Sequence, residues 1–287
     1  MHKLQDTELI LTPENKIYHL NLSKNEIADD IILVGDPDRV AVISSKFDSI
    51  EHKIQNREFV THTGTLNGKR ISAIATGIGP DNIDIVINEL DALVNIDFKT
   101  RTINQQKKKL NMIRLGTSGA LQQDIKVDTF FAASYGLGID GLAHFYQNQE
   151  VLEEEIATTY IKHANWPSKL ADPYFVKASI CLLNQFSDIP SGITATAPGF
   201  YGPQGRTLRL SPSIKDLHEK MESFNYKGEK ISNFEMETSA LYYLGQTLGH
   251  NTLTICAVIA NRLSKQYSTD YKKTVEKMID LVLNRIC

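Results

Sequence analysis

Short apolar runs recur along the chain, most followed by a glycine-bearing turn and then by a stretch with helical spacing. Ile31-Ile32-Leu33-Val34 predicts a buried strand, after which Gly35-Asp36-Pro37-Asp38-Arg39 opens a helix through Phe47. Arg57 to Leu66 and Arg70 to Ala75 flank Asn67-Gly68, a pair that favours a type I′ hairpin. Thr76-Gly77-Ile78-Gly79-Pro80 ends the second of these strands and starts a helix whose apolar face is Ile83, Val86, Ile87, Leu90 and Leu93. Met112 to Leu115 reads as a strand that breaks into a turn at Gly116 and Gly119. Further strands are predicted over Lys126 to Ser134, Gly192 to Ala197, Ile231 to Phe234 and Thr252 to Ala260. Helices are predicted over Glu150 to His163, Tyr174 to Phe186, Ser213 to Phe224, Glu235 to Leu248 and Lys272 to Ile286. Strands alternating with helices, with hairpins interposed and no linker, predict one α/β domain over 1–287 around a mixed sheet. The polar, basic stretch 98–111, with Lys107-Lys108-Lys109, is predicted to be a solvated surface insertion.

Composition adds limits. The 287 residues are 41% hydrophobic and 23% charged, ample for a large core. A net charge of -3 exerts no global pull toward nucleic acid or a membrane, so any anion site must be local. No run has signal-peptide character or membrane-spanning length, and the expected location is cytoplasmic. Cys181, Cys256 and Cys287 are far apart without a CxxC pair, and reduced thiols are expected. The eight histidines show no HExxH spacing, which argues against a transition-metal centre.

Candidate chemistry clusters at the glycine-bearing breaks. Arg114, followed by Gly116-Thr117-Ser118-Gly119, offers a guanidinium fork and hydroxyls beside a backbone that a ligand can approach, a combination suited to an anion. Gly35 to Arg39 is a second such place, at a positive helix end; its plainer reading is a turn in which Asp36 caps the helix and Arg39 is solvated. Phe200, Gln204 and Arg206 lie in a Pro/Gly-rich segment. They fit a planar heterocycle, with stacking on the ring and an amide along its edge, or else form a surface loop. Glu235 and Glu237 bracket Met236 at a strand-to-helix junction and are expected to point in different directions. Glu237 suits vicinal hydroxyls, whereas acids placed for the helix dipole are the plainer reading.

Taken in order, Gly35-Asp36-Pro37-Asp38-Arg39, Arg57-Glu58-Phe59, Thr76-Gly77-Ile78-Gly79, Arg114 to Gly119, Phe200-Tyr201 with Gln204 and Arg206, and Glu235-Met236-Glu237 resemble the nucleoside phosphorylase-I family. The likeness is greatest to its bacterial uridine phosphorylases and runs from Tyr18-His19-Leu20 to Asn261-Arg262. The resemblance implies a partly barrel-like central sheet flanked by helices, and reversible phosphorolysis of uridine to uracil and ribose 1-phosphate. It implies no required cofactor, with inorganic phosphate as co-substrate. It assigns phosphate to Gly35, Arg39, Arg114 and Thr117, with Arg57 from a neighbouring subunit. Ribose falls to Met236 and Glu237, with Glu235 alongside, and to His19 of the neighbour; the base falls to Gly119, Phe200, Gln204, Arg206 and Arg262. Arg114, Thr117, Glu237 and Arg262 would carry the catalysis. Glu58 matches a position that helps hold a monovalent cation, K+, between subunits in some members. A site shared in this way implies a homodimer as the smallest active unit, and the bacterial members assemble further into hexamers. Purine-specific relatives place an aspartate after the last core strand, where this chain has Asn261-Arg262, and that favours a pyrimidine. The length of 98–111 and the presence of Gly202-Pro203 and Gly205 depart from the pattern. The rival readings are a purine nucleoside phosphorylase and a non-catalytic nucleoside-binding protein of the same fold.

Overall fold

The computed structural model describes residues 3–287. The run into the first turn forms β1 (Asp30–Val34), and α1 (Pro37–Ser44) follows with proline in its first turn, where a missing N–H costs nothing. Next come β2 (Ser49–Asn56), β3 (Phe59–Leu66) and β4 (Lys69–Ala75), then α2 (Pro80–Asn95). Asn67 and Gly68 both have positive φ, 51° and 77°, as the predicted type I′ turn requires. The stretch after α2 carries a miniature hairpin, β5 (Ile96–Asp97) and β6 (Thr102–Ile103). The side chain of Arg101 ties this hairpin to the N-terminal segment by donating to the carbonyls of Leu4, Gln5 and Leu9, while Lys107, Lys108 and Lys109 are exposed.

The second half contains β7 (Asn111–Ala120), β8 (Phe130–Gly138), α3 (Glu154–Ala164), β9 (Tyr174–Lys177), α4 (Ile180–Leu183) and β10 (Ser191–Thr196). These are followed by α5 (Leu217–Glu222), β11 (Asn225–Tyr226), β12 (Glu229–Glu235), α6 (Thr238–Thr247), β13 (Asn251–Asn261), β14 (Gln266–Tyr267) and α7 (Tyr271–Ile286). In the sheet β7 pairs with β13 and β12, β13 with β8, β8 with β10 and β10 with β12, so these five strands close on themselves. From β7 the sheet continues outward through β1, β4, β3 and β2. β1, β4, β7 and β13 run parallel, as the βα order demands, and the closing pairs β12–β7 and β13–β8 are antiparallel. The apolar face of α2 at Ile83, Val86, Ile87, Leu90 and Leu93 is buried as predicted, and α7 packs Val275, Met278, Ile279, Val282 and Leu283 into the same core.

The structure departs from the predicted elements at several points. Tyr174 to Phe186 is not one helix: Tyr174, Phe175 and Val176 are buried in a strand antiparallel to β8, and the helical part is Ile180–Leu183 with a 3-10 turn, Asn184–Phe186, after it. An aromatic and β-branched run prefers the pleat to the helix. The strand predicted from Lys126 starts at Phe130, because Asp128 with φ 62° and its neighbours form a turn, and it runs on through Gly136 and Gly138. The helices predicted from Glu150 and Ser213 begin at Glu154 and Leu217. Arg57 and Glu58 are not in a strand. They form the two-residue tip between β2 and β3, with Arg57 at φ 54°. Finally, Gly116 and Gly119 do not end a strand; β7 continues through both and stays paired with β13 to Ala120.

Candidate active site

A cavity of about 560 Å³ opens where β1 and β4 end and β7 crosses β12. Its walls include Gly35, Arg39, Arg114, Thr117, Gly119, Phe200, Gln204, Arg206, Glu235, Met236 and Glu237. Segments scattered from residue 35 to residue 237 therefore converge on one cavity.

The N-termini of α1, α2 and α6 meet at one end of it. Asp36 caps α1 by accepting from the Asp38 N–H at 3.0 Å, as its plainer reading held. Arg39 is nonetheless not solvated: its side chain is 13% exposed and donates to the Leu115 carbonyl at 3.1 Å on β7. Gly79 is the N-cap of α2, and its N–H donates to Glu237 Oε1 at 2.9 Å. Glu237 is itself the N-cap residue of α6. Three helix ends supply a positive potential to this corner without any side chain.

Arg114 is buried in the middle of β7, and the missing side chain of Gly116 makes its place. A Cβ at residue 116 would lie 2.2 Å from Arg114 Nη1 and 3.0 Å from Cys256 Sγ. The guanidinium folds over that bare strand and meets both carboxylates, bonding Glu237 through Nη2 and lying 3.3 Å from Glu235 through Nη1. The expectation that the two acids point apart is thus overturned, although their roles differ. Glu235 accepts from the Glu237 N–H at 2.9 Å, the Thr238 N–H at 3.0 Å and Thr196 Oγ at 2.6 Å, so it caps α6 from the preceding strand. Ser239 bonds Thr196 Oγ and Asp140 behind it, and Tyr174 also donates to Asp140, which anchors the start of α6. Glu237 has fewer partners. Burial pushes its carboxyl up to about 7, with Arg114 pulling the other way and the Glu235 charge adding to the rise. Arg114 stays charged, and its Nε and Nη1 and the Ser118 hydroxyl are buried donors without a hydrogen-bond partner. Such donors are expensive to bury unless something polar meets them. The Cys256 thiol below is pushed up to about 12 by burial and is no nucleophile at neutral pH.

The other end of the cavity is built from a loop. The Arg206 guanidinium stacks on Phe200, 3.6 Å from the ring centroid, and Phe200 is half exposed. Gln204 is buried, and its Oε1 accepts from Arg206 at 2.6 Å and from Arg262 at 3.2 Å. Arg262 backs Gln204 and does not itself line the cavity. With the amide oxygen taken twice, Gln204 has only its NH2 left to offer, so this end presents donors. Asn261 faces away: its Nδ2 donates to Gln122 and Ile125 carbonyls, and its Oδ1 accepts from Leu263 and Ser264.

Besides Arg262, three predicted residues lie outside this chain's own cavity. Arg57 stacks toward Tyr18, 5.7 Å from its ring centroid, Asn56 donates to the His19 carbonyl, and His19 Nδ1 bonds Glu89 at 2.7 Å. His19, Arg57 and exposed Glu58 thus form a separate patch at the β2–β3 tip. Ser118, whose hydroxyl the sequence offers to an anion, lines the cavity, and so do Ile78, Phe234 and Tyr267, to which the sequence assigns no role. Ile78 lies within the Thr76-Gly77-Ile78-Gly79 motif, whereas Tyr267 reaches the rim only because β14 folds back onto β13, and no local pattern announces that.

The sequence matches the Phosphorylase superfamily over residues 29–286. The chain belongs to that superfamily. Within it, the uridine phosphorylase of Thermococcus kodakarensis is 29% identical over 270 residues, 93% of this chain and 85% of that protein. A DeoD-type purine nucleoside phosphorylase of Bacillus cereus is 27% identical over 272 residues, 93% of this chain and 97% of its own length. A solved Trypanosoma brucei nucleoside phosphorylase, described as having uridine phosphorylase activity, superposes with a TM-score of 0.85 at 28% identity. That alignment covers 94% of this chain and 98% of the other. Among the described residues, no helix is long and apolar enough to cross a membrane.

Proposed function

We propose that the protein catalyses the reversible phosphorolysis of uridine to uracil and ribose 1-phosphate. The observation that carries this reading is the order of chemistry along one cavity: an anion corner at Arg39, Arg114, Thr117 and Gly35, then the Met236-Glu237 acid, then an end made of donors beside an aromatic face. Inorganic phosphate at the first end brings its own negative charge to the anomeric carbon, so the enzyme needs no base to make the nucleophile. A phosphate oxygen bonds to C1′ while the C1′–N1 bond breaks. The bonding pair leaves with N1 and spreads onto the two carbonyl oxygens of uracil, facing the Gln204 amide and the Arg206 charge, with Arg262 behind Gln204. Water then supplies the proton. Glu237 accepts from the ribose hydroxyls and holds the sugar between the two ends, with Glu235 keeping Glu237 and α6 in place.

Cytosine would bring an amino group toward an end already full of donors, which favours a base with carbonyl edges. A purine leaving group gains from an acid, and Asn261 is neutral and wholly engaged by the backbone, which weighs against the purine alternative. The same reading makes the homodimer the smallest active unit, with the hexamer as its larger assembly, the His19 and Arg57 patch of one subunit completing the cavity of the next. Glu58 on that patch is a lone exposed acid. A K+ ion there would need oxygens from both subunits, since no cluster of metal-binding side chains occurs among the described residues. The test is base release from uridine, 2′-deoxyuridine, thymidine and inosine with and without phosphate. Phosphate-dependent release from uridine is expected. Release that ignores phosphate would make the protein a hydrolase, preference for inosine would make it a purine enzyme, and binding without release would make it a nucleoside-binding protein.

A further inference from the structure

His218 belongs to none of the quoted motifs. It is the second residue of α5, yet its ring lies against the base-side loop. Nε2 is 2.7 Å from the main-chain oxygen of Gln204 and in hydrogen-bonding contact with Arg262 Nη1. The ring meets Phe234 edge-on, 6.2 Å between centroids, and Phe234 lines the cavity. The loop is shaped to admit the ring: Gly205 has φ 67°, and a Cβ there would sit 3.0 Å from His218 Nε2. Gln204 and Arg262 are also joined directly, through the Gln204 main-chain oxygen and Oε1. One ring nitrogen thus stands at the junction between the residue that offers an amide to the base and the guanidinium behind it.

A single nitrogen cannot serve both neighbours in the same way. With a proton on Nε2 the ring donates to the Gln204 carbonyl; with the proton on Nδ1 it accepts from Arg262. An imidazolium would face the Arg262 cation, so the contact requires the neutral ring. Burial and that same charge accordingly hold His218 below the ordinary histidine range.

We propose that His218 is a positioning residue for the base: by holding the Gln204 carbonyl and the Arg262 guanidinium in register, it aims the Gln204 amide N–H at a carbonyl oxygen of a pyrimidine-2,4-dione. This deepens the reading of the cavity as a uridine site and rests on it. It also accounts for Gly205, the departure in the loop, as the space the ring needs.

The test compares wild type with His218→Phe and His218→Leu, which remove the ring nitrogens, and with His218→Gln, whose amide both donates and accepts. Uridine and phosphate are varied separately, and thermal unfolding is followed. Expected are a roughly tenfold or greater fall in kcat/KM for uridine in the Phe and Leu variants, an unchanged KM for phosphate, and recovery of most of the loss in His218→Gln. A residue that merely supports the fold would not separate the two substrates. Unchanged uridine kinetics in the Phe or Leu variant overturns the proposal. So does a fall that raises the phosphate KM equally, or a failure of His218→Gln to recover. If neither apolar variant folds, His218→Gln decides alone: near-wild-type uridine kinetics supports the proposal, and a tenfold loss overturns it. Wild-type protein that releases no uracil with phosphate present would instead overturn the reading of function beneath it.

Discussion

The two ends of the cavity are built in opposite ways. At the anion end, Arg114 sits on a continuous strand, is buried, and is held between Glu235 and Glu237, which are fixed in turn by helix caps. At the base end, Phe200, Gln204 and Arg206 ride on a loop, Phe200 is half exposed, and the donors lean on one another. In the proposed reaction the difference would put each kind of selectivity in its own place: a fixed charge site for an oxyanion common to many nucleoside reactions, and a loop that can change its base while the strand beneath stays as it is.

If the contrast is right, the largest effect belongs to Arg114→Ala. It would leave two carboxylates in a buried site without their cation, and about 3–5 kcal/mol of stability should be lost. Turnover should fall roughly 10³-fold, as when one partner of a buried, hydrogen-bonded charge contact is truncated. Thermal unfolding and steady-state rates measure both, and a soluble, active variant would show that the strand-held end is not the reaction's anchor.

A second effect is a pH signature confined to the same end. The Glu237 carboxyl is held up to about 7, above its ordinary 4.5, so its neutral form is the one the fold favours. Its contribution to stability is therefore fully present below the ordinary value and is lost as pH rises through about 7. The melting temperature of Glu237→Gln should match wild type near pH 5 and gain on it toward pH 8. Binding runs the other way, because only the carboxylate accepts from two hydroxyls. Uridine affinity measured without phosphate, whose own ionisation would interfere, should rise through that range in wild type and stay flat in the variant. Parallel curves would remove Glu237 from the sugar.

The smallest effect should come from Phe200→Ala at the loop end. Losing one half-exposed ring costs on the order of 1 kcal/mol, which is about a fivefold rise in KM for uridine, with the phosphate KM and the melting temperature unchanged. A loss as large as that of Arg114→Ala would abolish the distinction between the two ends.

Most of the strands and the helices α2 and α7 were legible because burial imprints its period on the sequence. The site was legible as a set of motifs whose members the fold brings together, but the geometry inside them was not. Gly116 was read as a turn because glycine commonly breaks strands; its actual reason is the return path of Arg114, two residues away along the strand and invisible until the guanidinium is placed. Glu235 and Glu237 are expected to diverge because they straddle a strand-to-helix junction, yet the buried Arg114 guanidinium reaches both, Glu235 at the strand end and Glu237 at the helix cap. His218 and Tyr267 depend on packing between distant elements, which leaves no periodic trace.

Gly116 borders the cavity with bare backbone, and even a methyl group there would collide with the Arg114 guanidinium and push it out of its place. Among evolved relatives and engineered variants, residues 114 and 116 should therefore be inherited as one unit. A graft that moves the arginine to a new scaffold without its glycine should deliver a charge pointing somewhere else.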